Sequence, residues 1–263
     1  EEHDVEVRGR FLALVGNLRA VHGETRYQVK DLNRQWYETK IKKLKVLPLG
    51  FLNTPEDREQ KKLITKIERS LDALASGGEA LMLDLHTTSA EGGFFSIVNH
   101  DRRSIDHARA IGAPVIEGLI DVVEGTALEY VERLGHPALA FEAGQHGEPH
   151  SEQRMIAAMV RLLDRLGMVD RSALALFDPY VKALARRADD LPDVVRFAHR
   201  HAVEPEHRFT MKPGYRNFDR VRRGEILGKD RSGFVTCPCD GYILMPLYQA
   251  QGEDGFFVVR GVD

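Results

Sequence analysis

The sequence predicts an α/β protein, with a sheet covered by helices over residues 1–190 and a small all-β domain over 191–263. Two observations carry this. Through the first part, short apolar runs bounded by turn residues alternate with amphipathic helical segments. Near Asp190-Leu191-Pro192 the character changes to short β segments punctuated by Pro-Gly, Arg-Arg-Gly, Ser-Gly and Asp-Gly. With 43% hydrophobic residues in 263, the chain has enough apolar material for one sizeable core, or one core and a small satellite.

The elements follow in order. Phe11–Val15 (FLALV) has the length and flanks of a buried strand, and Leu44–Leu49 (LKVLPL) reads as a second, weakened at its end by Pro48. Thr54-Pro55-Glu56-Asp57 is a helix start: a hydroxyl cap, proline at the first position, then acids in the first turn. Leu63, Ile64, Ile67, Leu71 and Leu74 continue it at helical spacing, and Ser76-Gly77-Gly78 ends it. Ala80–Leu85 and Phe94–Val98 read as strands, Asp106–Ile111 as a helix, and Pro114–Ile116 and Pro137–Phe141 as strands. Ser151–Leu166 is an amphipathic helix stopped by Gly167. Short apolar strands between helices imply a sheet buried on both faces. Beyond 191, β segments are expected at Val194–Val203, Phe209–Met211, Gly224–Leu227, Phe234–Thr236, Tyr242–Met245 and Phe256–Val259.

Charge and composition exclude some functions. A net charge of -3 and a pI near 6.5 give no basic excess for nucleic acid. Lys40–Lys43 and Arg220–Arg223 read as solvated faces. No apolar run approaches the roughly 18 to 20 residues of a membrane span. Cys237 and Cys239, one residue apart, cannot staple a fold and read as strand residues in a reducing compartment. The start, Glu-Glu-His-Asp, shows no signal peptide but looks like the middle of a protein, and the cytoplasmic location expected rests on the cysteines.

Three segments carry chemistry. Asp84-Leu85-His86-Thr87-Thr88-Ser89 puts a histidine at the C-terminal end of a buried strand, where open α/β sheets place their sites, with Asp84 able to orient it. Phe141-Glu142-Ala143-Gly144-Gln145 puts a carboxylate beside a glycine after another apolar strand, which suits a general base. Thr25–Arg34 gathers Arg26, Asn33 and Arg34 in one polar segment, and arginine forks bind carboxylates and stabilise oxyanions. Taken singly, each also fits a structural role: a core histidine, a salt-bridged glutamate, a charged surface loop. His146 and His150 flank the loop after Glu142, where they could line the mouth of a site, and these two with His199, His201 and His207 of the β domain read as surface or structural residues.

Together, Arg26-Tyr27, Asp31-Leu32-Asn33-Arg34, Asp84 to Ser89 and Glu142-x-Gly144 resemble the succinylglutamate desuccinylase and aspartoacylase family, relatives of zinc carboxypeptidases. Leu14 to Ala20 is similar to the family's strand and turn, with Leu18 where it has proline. Met211-Lys212-Pro213-Gly214, Gly224 to Leu227 and Asp240 to Pro246 resemble the β domain of its bacterial members. The resemblance implies a zinc carboxypeptidase-like mixed sheet and hydrolysis of a small N-acyl amino acid, the acyl group left open. It implies one Zn²⁺ per chain with His86 as a ligand, Glu142 as general base and acid, and Arg26 on the scissile carbonyl. Asn33 and Arg34 would hold the α-carboxylate, Arg133 the acyl carboxylate, and Tyr248 is a weaker candidate to reach the site.

The family's other two zinc ligands form a His-x-x-Glu pair ahead of the Phe11 strand. His3 and Glu6 have that spacing, but four residues between Glu6 and Phe11 leave no room for a parallel crossover of about a dozen residues. Glu6 would then enter at the end of the strand remote from the site. His22 is followed at three residues by Thr25. The two ligands, and the strand before them, are therefore expected upstream of residue 1; the alternative is a protein that lacks them, for which no catalysis is expected. Two alternative functions use the same groups: a peptidase for small peptides, and a metal-free binding protein for amino-acid-like ligands. The sequence leaves room for a homo-oligomer and predicts neither nucleic-acid nor membrane partners.

Overall fold

The computed structural model describes residues 5–74, 78–184, 192–249 and 252–262. The chain divides into two compact units: Glu1–Gly9, Leu83–Val122 and Leu139–Asp263 form one, and Arg10–Met82 and Val123–Ala138 the other.

The larger unit is built on a mixed sheet. Its strands are β1 (Met82–Thr88), β2 (Phe95–Val98), β3 (Val115–Glu117), β4 (Ala138–Gln145), β5 (Val194–Ala202), β7 (Arg220–Val221), β10 (Gly241–Leu244) and β11 (Asp254–Gly261), in the order β1-β4-β2-β3-β5-β11-β10-β7. β2 and β3 are parallel, as are β3 and β5, whereas β4 is antiparallel to β2 and β11 to β5. β6 (Thr210–Met211), β8 (Ile226–Asp230) and β9 (Gly233–Thr236) make a separate antiparallel sheet. The predicted β segments beyond residue 191 all form, and β5, β11, β10 and β7 lengthen the main sheet.

The alternation of β11 explains its place between two apolar layers. Phe256 and Val258 pack with Met211, Leu227, Cys237 and Ile243, while the alternate Phe257 and Val259 are equally buried on the opposite face. Helix α4 (Arg102–Ile111) packs on α6 (Ser151–Arg165), and α6 on α8 (Asp178–Leu184); the short α7 (Arg171–Leu174) lies between the last two in sequence. α4 closes at Gly112, whose φ of +81° suits a helix C-cap.

The smaller unit is helical. It holds α1 (Leu18–His22), α2 (Glu38–Val46), α3 (Pro55–Asp72) and α5 (Ala127–Arg133). α3 starts as the sequence predicts: Thr54 accepts the Asp57 amide and Pro55 opens the first turn. The predicted stop at Ser76-Gly77 lies outside the described residues. Trp36 is 2% exposed and stacks on Tyr130 at 5.2 Å between ring centroids. No helix among the described residues is long and apolar enough to cross a membrane.

Two predicted strands are absent. Leu44–Leu49 is not a strand: Leu44 and Val46 end α2, and Leu49 lies in a short 3-10 turn. Ile41 and Leu44, three apart, are buried together as α2 packs on α3, and Pro48 prevents continuation. Phe11–Val15 is irregular, and Phe11, Leu12 and Val15 are 54%, 47% and 53% exposed. A strand exists only in a ladder, and no described residue forms one with this segment.

Candidate active site

In the larger unit, His86 is the fifth residue of β1 and Glu142 the fifth of β4, its neighbour. The Met82 amide donates to the Pro137 carbonyl (3.1 Å) where these strands begin, and the His146 amide donates to the Thr88 carbonyl (2.9 Å) where they end. The two strands therefore run parallel and nearly in step, which sets His86 and Glu142 at one level of the sheet. Asp84 and His86 share a face of β1, and Asp84 Oδ2 lies 2.9 Å from His86 Nε2. Glu142 is 9% exposed, follows the apolar run Ala138–Phe141 and stands directly across from Phe95 on β2. A carboxylate kept in such surroundings is costly unless it is partnered or put to use.

The turns beyond these strands are tied together. Thr87 Oγ1 and His146 Nδ1 are 2.7 Å apart, Gln145 Nε2 donates to the Ser89 carbonyl at 3.2 Å, and His146 Nε2 lies 3.4 Å from Gln249 Oε1. Tyr248 Oη donates to the Lys212 carbonyl (2.9 Å) and accepts the Tyr215 amide (3.0 Å), so its hydroxyl serves the β region.

Two residues that sequence reasoning missed stand behind Glu142. Arg154 donates from Nη1 to the Ala143 carbonyl (2.9 Å) and from Nη2 to Glu148 Oε1 (2.7 Å). Hydrogen bonding to Arg154 holds the Glu148 carboxyl below the usual carboxylate range. The signal for Arg154 was in the sequence: it interrupts the buried face of α6 that carries Ser151, Ala157 and Ala158.

In the smaller unit, the segment from Arg26 to Trp36 is held almost residue by residue. Arg26 donates from Nε (2.9 Å) to Asp31 Oδ2, and its Nη2 lies 2.8 Å from the same oxygen. The Asn33 amide donates to Asp31 Oδ1 (3.0 Å). The Gln28 and Val29 amides donate to one oxygen of the fully buried Glu56 (2.8 and 3.3 Å). Lys30 and Lys40 both reach Asp57, at 2.7 and 2.9 Å. Burial alone would raise the Asp57 carboxyl, but hydrogen bonds from Lys30, Lys40 and Thr54 outweigh it and hold it at about 2.

The same segment is attached to both ends of α5. Asn33 Oδ1 accepts the Ala127 amide (2.9 Å) at its first turn, and Arg133 Nη2 donates to the Trp36 carbonyl (2.5 Å) at its last. Arg34 Nη1 donates to the Asn33 carbonyl (2.9 Å). A Cβ on Gly125, whose φ is +71°, would sit 2.9 Å from the Arg34 carbonyl, so this close approach requires glycine. The structure thus brings His86 and Glu142 together in one unit, and Arg26, Asn33, Arg34 and Arg133 together in the other.

Residues 2–166 match the succinylglutamate desuccinylase/aspartoacylase catalytic domain. The chain belongs to the succinylglutamate desuccinylase/aspartoacylase family. It is accordingly a hydrolase of amide bonds. A succinylglutamate desuccinylase from Vibrio parahaemolyticus is similar in structure at 18% identity and a TM-score of 0.65, over 98% of this chain and 73% of that one. A succinylglutamate desuccinylase/aspartoacylase from Rhodobacter sphaeroides is 16% identical with a TM-score of 0.64, over 94% and 74%. Murine aminoacylase 3 is 20% identical with a TM-score of 0.55, over 94% and 82%. These likenesses show the fold, a zinc carboxypeptidase-like α/β architecture with an added antiparallel sheet towards its C-terminal end. No protein with a curated description matches the chain in sequence.

A catalytic zinc takes three protein ligands. Among the described residues no three His, Cys, Asp or Glu side chains converge to hold a metal ion. Of the pair with His-x-x-Glu spacing ahead of Phe11, His3 lies outside the described residues. The described residues therefore do not by themselves make up a complete zinc centre.

Proposed function

We propose that the chain deacylates a small N-acyl amino acid, with Glu142 moving the proton. The observation that carries this is the buried Glu142 level with His86 on adjacent parallel strands, towards their C-terminal ends. Glu142 takes a proton from the attacking water and delivers it to the leaving amine. Arg26 balances the negative charge that develops on the carbonyl oxygen. Its guanidinium has five N–H groups and engages Asp31 through Nε and Nη2, and the side chain is 40% exposed, which leaves it open to a ligand. Asn33, Arg34 and Arg133 grip the substrate's carboxylates, as fixed cations and donors do for small acids.

The reading includes one zinc ion per chain, with His86 among its ligands and the others supplied from outside the described residues. It also takes 1–190 as the catalytic domain and 191–263 as the β domain. The free cysteines Cys237 and Cys239 suit a cytoplasmic setting.

The test is Glu142→Gln assayed on N-acetyl and N-succinyl amino acids, with dipeptides as the contrast. Removing a general base lowers kcat by about 10²- to 10⁴-fold, with zinc content unchanged. Turnover at the parent rate would remove Glu142 from the chemistry. Preference for dipeptides would move the substrate class to peptides.

A further inference from the structure

Arg154 is 8% exposed, on the buried face of α6. A guanidinium is costly to bury unless it is paired and hydrogen-bonded. Its partners all lie around Glu142. Nη1 holds the carbonyl of Ala143, the next residue, and Nη2 holds Glu148, whose other oxygen accepts the Gln145 amide at 3.3 Å. Its Cζ lies 4.8 Å from the ring centroid of Phe94, and Phe94 packs at 6.4 Å on Phe141, the residue before Glu142. Ser151 Oγ, also on α6, donates to the Gln145 carbonyl at 3.2 Å.

The strand period fixes the side from which this happens. Phe141 and Ala143 share one face of β4 and Glu142 occupies the other. Phe94, and with it Arg154, therefore stands behind Glu142. Gly144 makes the grip possible. With φ at +123° it carries no side chain where a Cβ would lie 2.5 Å from both Arg154 Nη1 and Glu148 Oε2.

We propose that Arg154, with Glu148 as its counter-ion, is a positioning residue that fixes the peptide bearing Glu142 and so aims that carboxylate at the reacting bond. The role rests on Glu142 as the base. Neither residue touches substrate; each acts through Ala143, Gly144 and Gln145. A misplacement of about 1 Å at a catalytic group costs about 10²-fold in rate.

The experiment compares Arg154→Met and Glu148→Ala with the parent full-length protein, zinc supplied, on whichever N-acetyl or N-succinyl amino acid the parent hydrolyses fastest. kcat and KM are measured well below each melting temperature and referred to the folded fraction from circular dichroism. Hydrogen exchange is followed in peptides covering 142–146. We expect kcat to fall about 10- to 100-fold, KM to stay within about twofold, and exchange at 142–146 to quicken while β3 is unchanged. If Arg154→Met does not fold, Glu148→Ala carries the same expectation through the other half of the pair. A merely structural contact lowers the melting temperature and leaves kcat per folded molecule and exchange at 142–146 at parent values. That result, beside an inactive Glu142→Gln, overturns this role alone. Glu142→Gln at the parent rate, or a parent that hydrolyses none of the panel, overturns the base and this role together.

Discussion

Asp57→Asn is a sharp test of how the Arg26–Trp36 segment is held. Asp57 receives Lys30 at 2.7 Å and Lys40 at 2.9 Å, and its side chain is 15% exposed. Its carboxyl is held at about 2, against an ordinary 3.8. At about 1.4 kcal/mol per pKa unit this corresponds to at most about 2.5 kcal/mol, and solvent screening reduces it to about 1–2 kcal/mol. The sign follows from the direction of the shift. A depressed carboxyl stabilises the fold above its ordinary pKa, and the contribution is lost as the pH falls towards 2. Asparagine keeps the shape and removes the charge, so the variant imitates the protonated parent. The difference between parent and variant is expected to be about 1–2 kcal/mol at pH 7 and about half that at pH 3. Each kcal/mol lowers the melting temperature by about 2–4 °C in a chain of this size. Urea unfolding followed by fluorescence reads it directly, because the chain's one tryptophan, Trp36, is buried in the same unit. An equal cost at pH 7 and pH 3 would show that the Lys30 and Lys40 contacts are not what Asp57 contributes.

On the proposed ligand role of His86, His86→Ala is expected to reduce bound zinc to about a tenth of the parent's or less, since a catalytic zinc rests on about three protein ligands; elemental analysis that still finds one zinc per chain removes His86 from the ligand set. Asn33→Ala leaves the Ala127 amide without its acceptor and should cost about 1–3 kcal/mol, together with a rise in KM. A variant with parental stability would mean that water replaces the Asn33 oxygen.

Much of the fold could be read from the sequence because its signals are local. Thr54-Pro55 opens α3 by capping alone, and the short apolar runs at Phe94–Val98 and Pro137–Phe141 have no competing helical period. Leu44–Leu49 misled because LKVL fits a strand as well as the end of a helix, and the packing of Ile41 and Leu44 on α3 decides between them. Phe11–Val15 misled for a different reason. Its composition is that of a strand, but composition does not supply a ladder partner. For the site, the motifs name the groups and their order along the chain, but not what each oxygen or N–H faces. Nothing in Asp-Leu-Asn-Arg says that the Asn33 oxygen caps a helix starting at Ala127, 94 residues away. Arg154 was visible as a charge on an apolar face, and only the fold shows that the face backs onto Glu142.

The acids at the start of α3 show how one local signal can serve two levels of structure. In the sequence, Glu56 and Asp57 are first-turn carboxylates that favour the helix N-terminus, an effect worth a few tenths of a kcal/mol to about 1 kcal/mol. In the structure Glu56 is fully buried and accepts the amides of Gln28 and Val29, while Asp57 gathers Lys30 and Lys40. Helix-start chemistry needs neither burial nor those partners. The same two carboxylates therefore order the loop that carries Arg26 and Arg34. On the proposed role of that loop, Glu56→Gln or Asp57→Asn is expected to raise KM while circular dichroism shows the helix content of α3 unchanged.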